Sequence, residues 1–182
     1  MAYPVSENAR HAVNHIFTRA ASANLVMSPA DSIEIQQLPG SDLIETPEEN
    51  IFVLTISSYR FRLLTVFHLE AAGRNASYFC RDDSAQGFLE AFSEIGNLCC
   101  GAMNRELGKH FLHTGMSTPN ILQRGCLTYL DELKPSYVTQ FGIRINDTVG
   151  MHATLCLCAY APIDFRVDPQ AAAEETGALE FF

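Results

Sequence analysis

The chain has 182 residues, of which 47% are hydrophobic and 18% are charged. This length corresponds to one domain with a small addition, and this composition is sufficient for a packed core, which excludes a wholly disordered protein. The 21 acidic and 12 basic residues give a net charge of −9. Because an acidic surface repels phosphate backbones, we do not expect nucleic-acid binding.

The sequence also predicts a compartment and a redox state. No apolar run approaches the roughly 20 residues of a membrane span, and the first residues lack the basic and apolar stretches of a signal peptide. We therefore expect a cytoplasmic protein without membrane contact. The six cysteines form no CxxC pairs and no regular framework, which predicts reduced thiols. His11 and His15 have the helical spacing of metal ligands, but no third ligand lies near them in sequence, so we expect no metal site.

The hydrophobic pattern predicts a helix, a short strand and a hairpin, and then the same series again. The first series is a helix over 9–20, a strand over 32–38 and hairpin strands over 51–57 and 60–69. The second is a helix over 85–107, a strand over 119–124 and hairpin strands over 137–145 and 151–160, joined at Asn146 and Asp147. The pattern leaves 70–83 and 126–133 open. Since the element order repeats, we expect a duplicated αβββ unit in one α/β domain.

The helix predicted over 85–107 has a polar stripe on one side and an apolar stripe on the other. The apolar stripe, which we expect to face the core, consists of Phe88, Phe92, Ile95, Cys99, Ala102, Met103 and Leu107. The polar stripe recurs at steps of four, three, four and four residues and consists of Glu90, Glu94, Asn97, Gly101 and Arg105. Glycine inside a helix costs roughly 1 kcal/mol relative to alanine, so Gly96 and Gly101 suggest the close approach of another backbone. Taken alone, the stripe is more typical of an ordinary solvated helix face than of a functional site.

The string SEIGNLCCGAMNRELGKHFLHTGMSTPNIL over 93–122 resembles the signature of the CheC/CheX/FliY family of chemotaxis phosphatases. In that signature a Glu, an Asn three positions later and a Pro after 21 or 22 further residues recur, and here these are Glu94, Asn97 and Pro119. Gly101 matches the small residue that follows the Asn by four positions. Position 90 is Glu where the family usually has Asp or Ser. No second Glu-x-x-Asn occurs in the chain, which favours the one-site, CheX-like branch.

The resemblance implies an α/β (α+β) fold of the CheC-like kind. In that fold, pseudo-duplicated αβββ units form an antiparallel-rich sheet with long helices on one face. We expect an N-terminal extension over 1–8, a CheX-like domain over 9–162 and an acidic C-terminal tail over 163–182, either docked as a short helix or loose.

The resemblance also implies a reaction, because members of this family hydrolyse the phosphoryl-aspartate of a receiver protein such as CheY. By resemblance, Asn97 directs the attacking water and Glu94 pairs with the active-site Lys of the receiver. The residues implied to contact the receiver are Glu90, Gly96, Gly101, Arg105 and Pro119. The receiver supplies Mg²⁺, so we expect no cofactor of the chain's own, and we expect a homodimer. Two alternatives stay open: an inactive CheC-like module that docks on a receiver or flagellar switch, and a small protein that binds a metabolite.

Overall fold

The computed structural model describes residues 3–40, 48–70, 73–80 and 84–168. The first half contains helix α1 and three strands, at Glu7–Asn24 (α1), Ile33–Gln37 (β1), Asn50–Ser57 (β2) and Phe61–Leu69 (β3). Two helices follow, at Gly73–Phe79 (α2) and Ala85–Gly108 (α3). The remaining elements are Gly115–Met116 (β4), Asn120–Gln123 (β5), a 3-10 helix at Arg124–Leu133, Tyr137–Ile145 (β6) and Val149–Ala159 (β7). The predicted αβββ order is therefore present in both halves, with the short strand of the second half divided into β4 and β5.

All strands belong to one antiparallel sheet, in which β1, β6, β7, β3 and β2 follow one another and β4 and β5 both pair with the outer side of β2. Each half contributes its own hairpin, and the two hairpins meet where β3 pairs with β7. The short strands are exchanged between the halves: β1 pairs with β6, and β5 pairs with β2. The halves therefore form one interlocked domain.

The turn between β6 and β7 lies at Asn146 and Asp147, as predicted. Both residues have positive φ, 50° and 54°, and the turn closes with the N–H of Thr148 donating to the carbonyl of Ile145 over 3.1 Å. Two successive positive φ angles match the right-handed twist of the flanking strands, and short polar side chains tolerate them.

Helices α1 and α3 pack side by side on one face of the sheet, which confirms the prediction of long helices on one face. Aromatic rings form much of this core. The ring centroid of Phe17 in α1 lies 6.0 Å from that of Phe67 and 4.7 Å from that of Phe141. The ring centroid of Phe92 in α3 lies 5.7 Å from that of Phe52 and 5.5 Å from that of Phe67. The two helices thus share one core through the central strands.

The 3-10 helix packs on the opposite face of the sheet. Leu127 contacts Ile51 and Val66, and Leu130 packs with Cys156. Side chains three residues apart lie above one another in a 3-10 helix, so a single Leu-x-x-Leu spacing is sufficient to bury this short segment. The pattern had left this segment open because it is too short to show an α-helical period.

A polar cluster, buried except at the half-buried His152, lies on the same face and was not predicted. His68 Nε2 lies 2.9 Å from Thr154 Oγ1, and His152 Nδ1 lies 2.9 Å from Glu48 Oε1. Burial lowers the pKa of His68 to about 4, so its ring is neutral near pH 7. We interpret the cluster as structural, because His68 and Thr154 pair between neighbouring strands and His152 pairs with Glu48 just before β2.

The two ends of the domain pack against each other. Val5 and Ile163 form a parallel bridge and are both buried, and the hydroxyl of Ser6 accepts from the N–H of Ala9 over 3.1 Å as the N-cap of α1. Residues 3–8 and 163–168 thus contribute to the domain, which corrects the boundaries predicted at residues 8 and 163. The rest of the predicted tail, 169–182, lies outside the described residues.

The six cysteines are free thiols, as expected. Four of them are buried, Cys80 is half-buried and Cys126 is exposed. Within the described part of the chain, no helix is long and apolar enough to cross a bilayer.

Candidate functional site

Helix α3 begins at a capped residue and has one strongly apolar side. The hydroxyl of Ser84 accepts from the N–H of Gly87 over 3.0 Å, which satisfies one of the free amides at the helix start. The predicted inward stripe is confirmed at Phe88, Phe92, Ile95, Cys99, Met103 and Leu107, all buried, while Ala102 is half-buried. Burial of this stripe fixes the rotation of α3 about its axis and so determines which side chains point outward.

The outward side presents the residues predicted for the site. Glu94 is exposed and Asn97 is half-buried, one helical turn apart on the same face. Neither side chain makes a hydrogen bond or an ion pair with any residue that the structure describes. A carboxylate and an amide are therefore available here to a group from outside the chain.

The neighbours of this pair on the same stripe contact their own helix. Gln86 Nε2 donates to Glu90 Oε1 over 2.6 Å. A Cβ atom placed on Gly101 would lie 3.6 Å from Arg105 Nη1, so the guanidinium folds back over the glycine. The structure therefore places Glu90, Gly101 and Arg105 on the predicted surface, with both long side chains lying along the helix.

Gly96 does not belong to that surface, and its predicted role at the partner contact was wrong. It is buried against the sheet, where an added Cβ would lie 2.6 Å from Cζ of Phe52. No real Cβ atom tolerates such a distance. The glycine is needed because α3 approaches β2 closely at this point.

Pro119 lies between β4 and β5 at the edge of the sheet and is half-buried. Ile121 of β5 pairs with Phe52 of β2, and the ring of Phe52 is the one that contacts Gly96. The structure thus brings the loop that contains Pro119 to the sheet edge over which α3 runs.

Two residues on the outward side of α3 were not identified from the sequence. Leu98 has 61% of its surface exposed, although it is a large apolar residue next to Asn97. Asn104 lies nearly two turns beyond Asn97 on the same flank, and its side-chain oxygen is buried without a hydrogen-bond partner. Leu98 follows Glu94 by four residues, and Asn104 follows Asn97 by seven. This helical spacing is the sequence signal that could have placed them on the same side of α3.

The other candidates among the described residues, a thiol, the paired histidines and a groove, add no chemistry to this pair. Burial raises the pKa of the Cys100 thiol to about 12, so it is neutral near pH 7 and is not a nucleophile. Within the described residues, no group of three or more His, Cys, Asp or Glu side chains could hold a metal ion. His11 Nε2 lies 3.7 Å from Glu7 Oε1 on the surface of α1. A groove lined by Arg10, Asp131 and Tyr137 lies beside β6 and contains no residue of α3.

The fold is similar to that of solved chemotaxis proteins. One is CheX from Borrelia burgdorferi, solved as a CheX-CheY-BeF3-Mg²⁺ complex, with a TM-score of 0.59 and 16% sequence identity over 80% of this chain and 97% of that chain. The chain has the CheC-like fold. A CheC-like superfamily protein from Shewanella sp. PV-4 matches the CheC-like fold of this chain with a TM-score of 0.50 and 8% identity, over 84% of this chain and 98% of that chain.

A CheX protein from Desulfovibrio desulfuricans has the same CheC-like fold, with a TM-score of 0.50 and 14% identity over 81% of this chain and 98% of that chain. No protein-family model matches the sequence, and no curated protein matches it. Since nearly the whole of each of these solved chains is covered, the likeness in fold extends over their full length. The resemblance predicted from 93–122 is thus confirmed at the level of the fold.

Proposed function

We propose that this CheC-like protein is a phosphatase that hydrolyses the phosphoaspartate of a CheY-like receiver domain. The observation that carries the proposal is the pair Glu94 and Asn97, one turn apart on the outward side of α3 and without partners among the described residues. The likeness in fold to a CheX protein solved together with CheY supports a receiver as the partner. A receiver partner would also place the activity in the cytoplasm.

The proposed chemistry requires little from the phosphatase beyond the placement of a water molecule. The water oxygen bonds to phosphorus, the bond from phosphorus to the aspartate oxygen breaks, and the carboxylate leaves with the electron pair. The water proton passes to the released phosphate. Because the acyl phosphate already has a good leaving group, the rate depends on holding the water in line with the breaking bond. The amide of Asn97 can accept a hydrogen bond from that water and does not titrate.

Glu94 has the proposed role of anchoring the helix in the receiver pocket by pairing with the active-site Lys. Such a pair, removed from water at the contact, contributes to orientation more than an exposed pair does. The Mg²⁺ that neutralises the phosphoryl group belongs to the receiver, so the chain needs no cofactor of its own. Gly101, Arg105, Glu90 and Pro119 would then border the contact.

We also propose that the chain forms a homodimer through the outer edge of β5, which pairs with no other strand of the described residues. All four residues of β5 are exposed, including Ile121 at 39% and Leu122 at 42%, and an exposed apolar edge strand is a template for pairing. The molar mass in solution tests this part of the proposal.

The central experiment compares the loss of phosphate from a panel of phosphorylated receivers, with Mg²⁺, in the presence of wild-type protein or Asn97→Ala. We expect the wild type to accelerate hydrolysis for a cognate receiver. We expect Asn97→Ala to lose at least about 100-fold of that acceleration, because the water is no longer directed. Its melting temperature should stay that of the wild type, since the side chain makes no hydrogen bond or ion pair with the described residues. Full activity in Asn97→Ala would contradict the positioning role.

Glu94→Ala and Glu90→Ala form a matched pair for the anchoring role. Both remove an exposed carboxylate from the same face, but Glu90 already accepts a hydrogen bond from Gln86. We expect Glu94→Ala to weaken binding to the phosphorylated receiver more than Glu90→Ala does. Tight binding by the wild type without any acceleration would instead identify the inactive docking module.

A further inference from the structure

Leu98 is unusual among the residues of α3. Of the large apolar side chains in this helix, all of which the structure describes, it alone is exposed, with 61% of its surface accessible. Single exposed leucines are common on protein surfaces, so exposure alone identifies no function. The position of Leu98 relative to the proposed site carries the inference.

Leu98 follows Asn97 directly and follows Glu94 by four residues. Since successive helical residues differ by about 100°, Asn97 and Leu98 lie on opposite flanks of the line through Glu94 and Gly101. Residues four apart on a helix have Cβ atoms about 5–6 Å from each other. A partner surface that spans both Glu94 and Asn97 therefore comes next to Leu98. Gly101, three residues further on, has no side chain, and Leu98 stays 61% exposed although Arg105 folds back over that glycine.

We propose that Leu98 is the apolar anchor of the receiver contact and packs against an apolar side chain beside the phosphorylated pocket. This inference rests on the proposed function and names a residue that the Glu-x-x-Asn motif does not include. The carboxylate of Glu94 and the amide of Asn97 exchange water for partner groups on binding, which offsets part of their gain in affinity. Leu98 gains from leaving water without such an exchange, since burial of apolar surface is favourable by itself.

This role has a kinetic signature. Leu98 has no polar atom to direct water or to stabilise charge, so its contact with the receiver is equally strong before and during the reaction. A contact of that kind lowers KM and leaves kcat unchanged. Loss of the Asn97 side chain should instead lower kcat, because the attacking water is no longer directed.

The test measures two quantities for wild type, Leu98→Ala, Leu98→Met and Leu112→Ala: binding to the beryllofluoride-activated receiver, and the steady-state kinetics of receiver dephosphorylation. Leu98→Ala should raise Kd and KM by about five- to tenfold and leave kcat within twofold. Leu98→Met keeps the apolar area and should stay within about twofold of the wild type. Leu112 is 69% exposed and lies beyond the end of α3, so Leu112→Ala is the control and should behave as wild type.

The outcomes separate this inference from the proposed function. If Asn97→Ala abolishes activity and Leu98→Ala binds as tightly as the wild type, the anchor is refuted and the phosphatase stands. If Leu98→Ala lowers the molar mass of the protein in solution and leaves receiver affinity unchanged, Leu98 belongs to a self-association surface, which also refutes the anchor. If the wild type binds no activated receiver, the proposed function and the anchor fall together.

Discussion

Helices α1 and α3 occupy equivalent places in the two halves of the domain, but their polar residues behave differently. In α1, the amide nitrogen of Asn14 donates to Gln37 over 3.1 Å and to the hydroxyl of Tyr137 over 2.9 Å. In α3, Asn97 and Glu94 make no such contact with the described residues. Asn14 thus holds α1 to its own sheet, whereas Glu94 and Asn97 have no such contact among the described residues. The proposed function would make α1 the structural helix and α3 the functional one.

We expect the largest effect on stability from a substitution at Gly96, because α3 approaches the sheet more closely there than α1 does. Helix α1 packs through alanines such as Ala9, Ala20 and Ala21, while α3 lies so close to Phe52 that no Cβ fits. We expect Gly96→Ala to lower the free energy of unfolding by about 1–3 kcal/mol, because the ring of Phe52 must move within a packed core. Chemical denaturation measures this change. An unchanged midpoint would mean that α3 shifts away from β2 at little cost.

A smaller effect is expected from Asn14→Ala, the counterpart in α1 of Asn97→Ala. Loss of the hydrogen bonds to Gln37 and Tyr137 should lower the free energy of unfolding by about 1 kcal/mol. Receiver dephosphorylation should keep its wild-type rate, since Asn14 lies on the other helix. The pair of variants thus separates a stabilising amide from a positioning amide. Comparable losses of activity in both would contradict the division between the two helices.

The smallest effect on stability, and of opposite sign, is expected from Gly101→Ala. A Cβ at this position meets only Arg105 Nη1, at 3.6 Å, so alanine fits. Alanine is the better helix former, and we expect a gain of about 0.5–1 kcal/mol in the free energy of unfolding. Affinity for the activated receiver should fall at the same time, because the added methyl group stands on the proposed contact surface. Gains in both stability and affinity would place the receiver elsewhere.

Much of the fold was predictable because it depends on short-range patterns. The inward stripe of α3 is set by its helical period and the turn at Asn146 and Asp147 by local side-chain chemistry, and both are present. The helix boundaries were less accurate: α1 spans Glu7–Asn24 rather than 9–20, since its cap is Ser6 and its alanine-rich end continues the helix. Strand β4 was missed because its two residues are too few to form a pattern.

The candidate site was also predictable only in part. Glu94 and Asn97 were recognised from their spacing, and burial of the opposite side of α3 then orients them outward. Gly96 was misassigned because a helical period alone does not show that a helix touches the strand beneath it. Leu98 was overlooked because its exposure depends on how α3 rotates when it packs.

The amino-acid sequence by itself determined the features that depend on residues close together in the chain. These are the amphipathic character of α3, the hairpin turn, the repeated order of elements and the Glu-x-x-Asn spacing. Only the tertiary structure decided that β1 and β5 exchange between the halves and that Gly96 lies against Phe52. The physical reason is that these arrangements are pairings between segments far apart in the chain. Their stability comes from burial and from hydrogen bonds between strands, which local propensity does not encode.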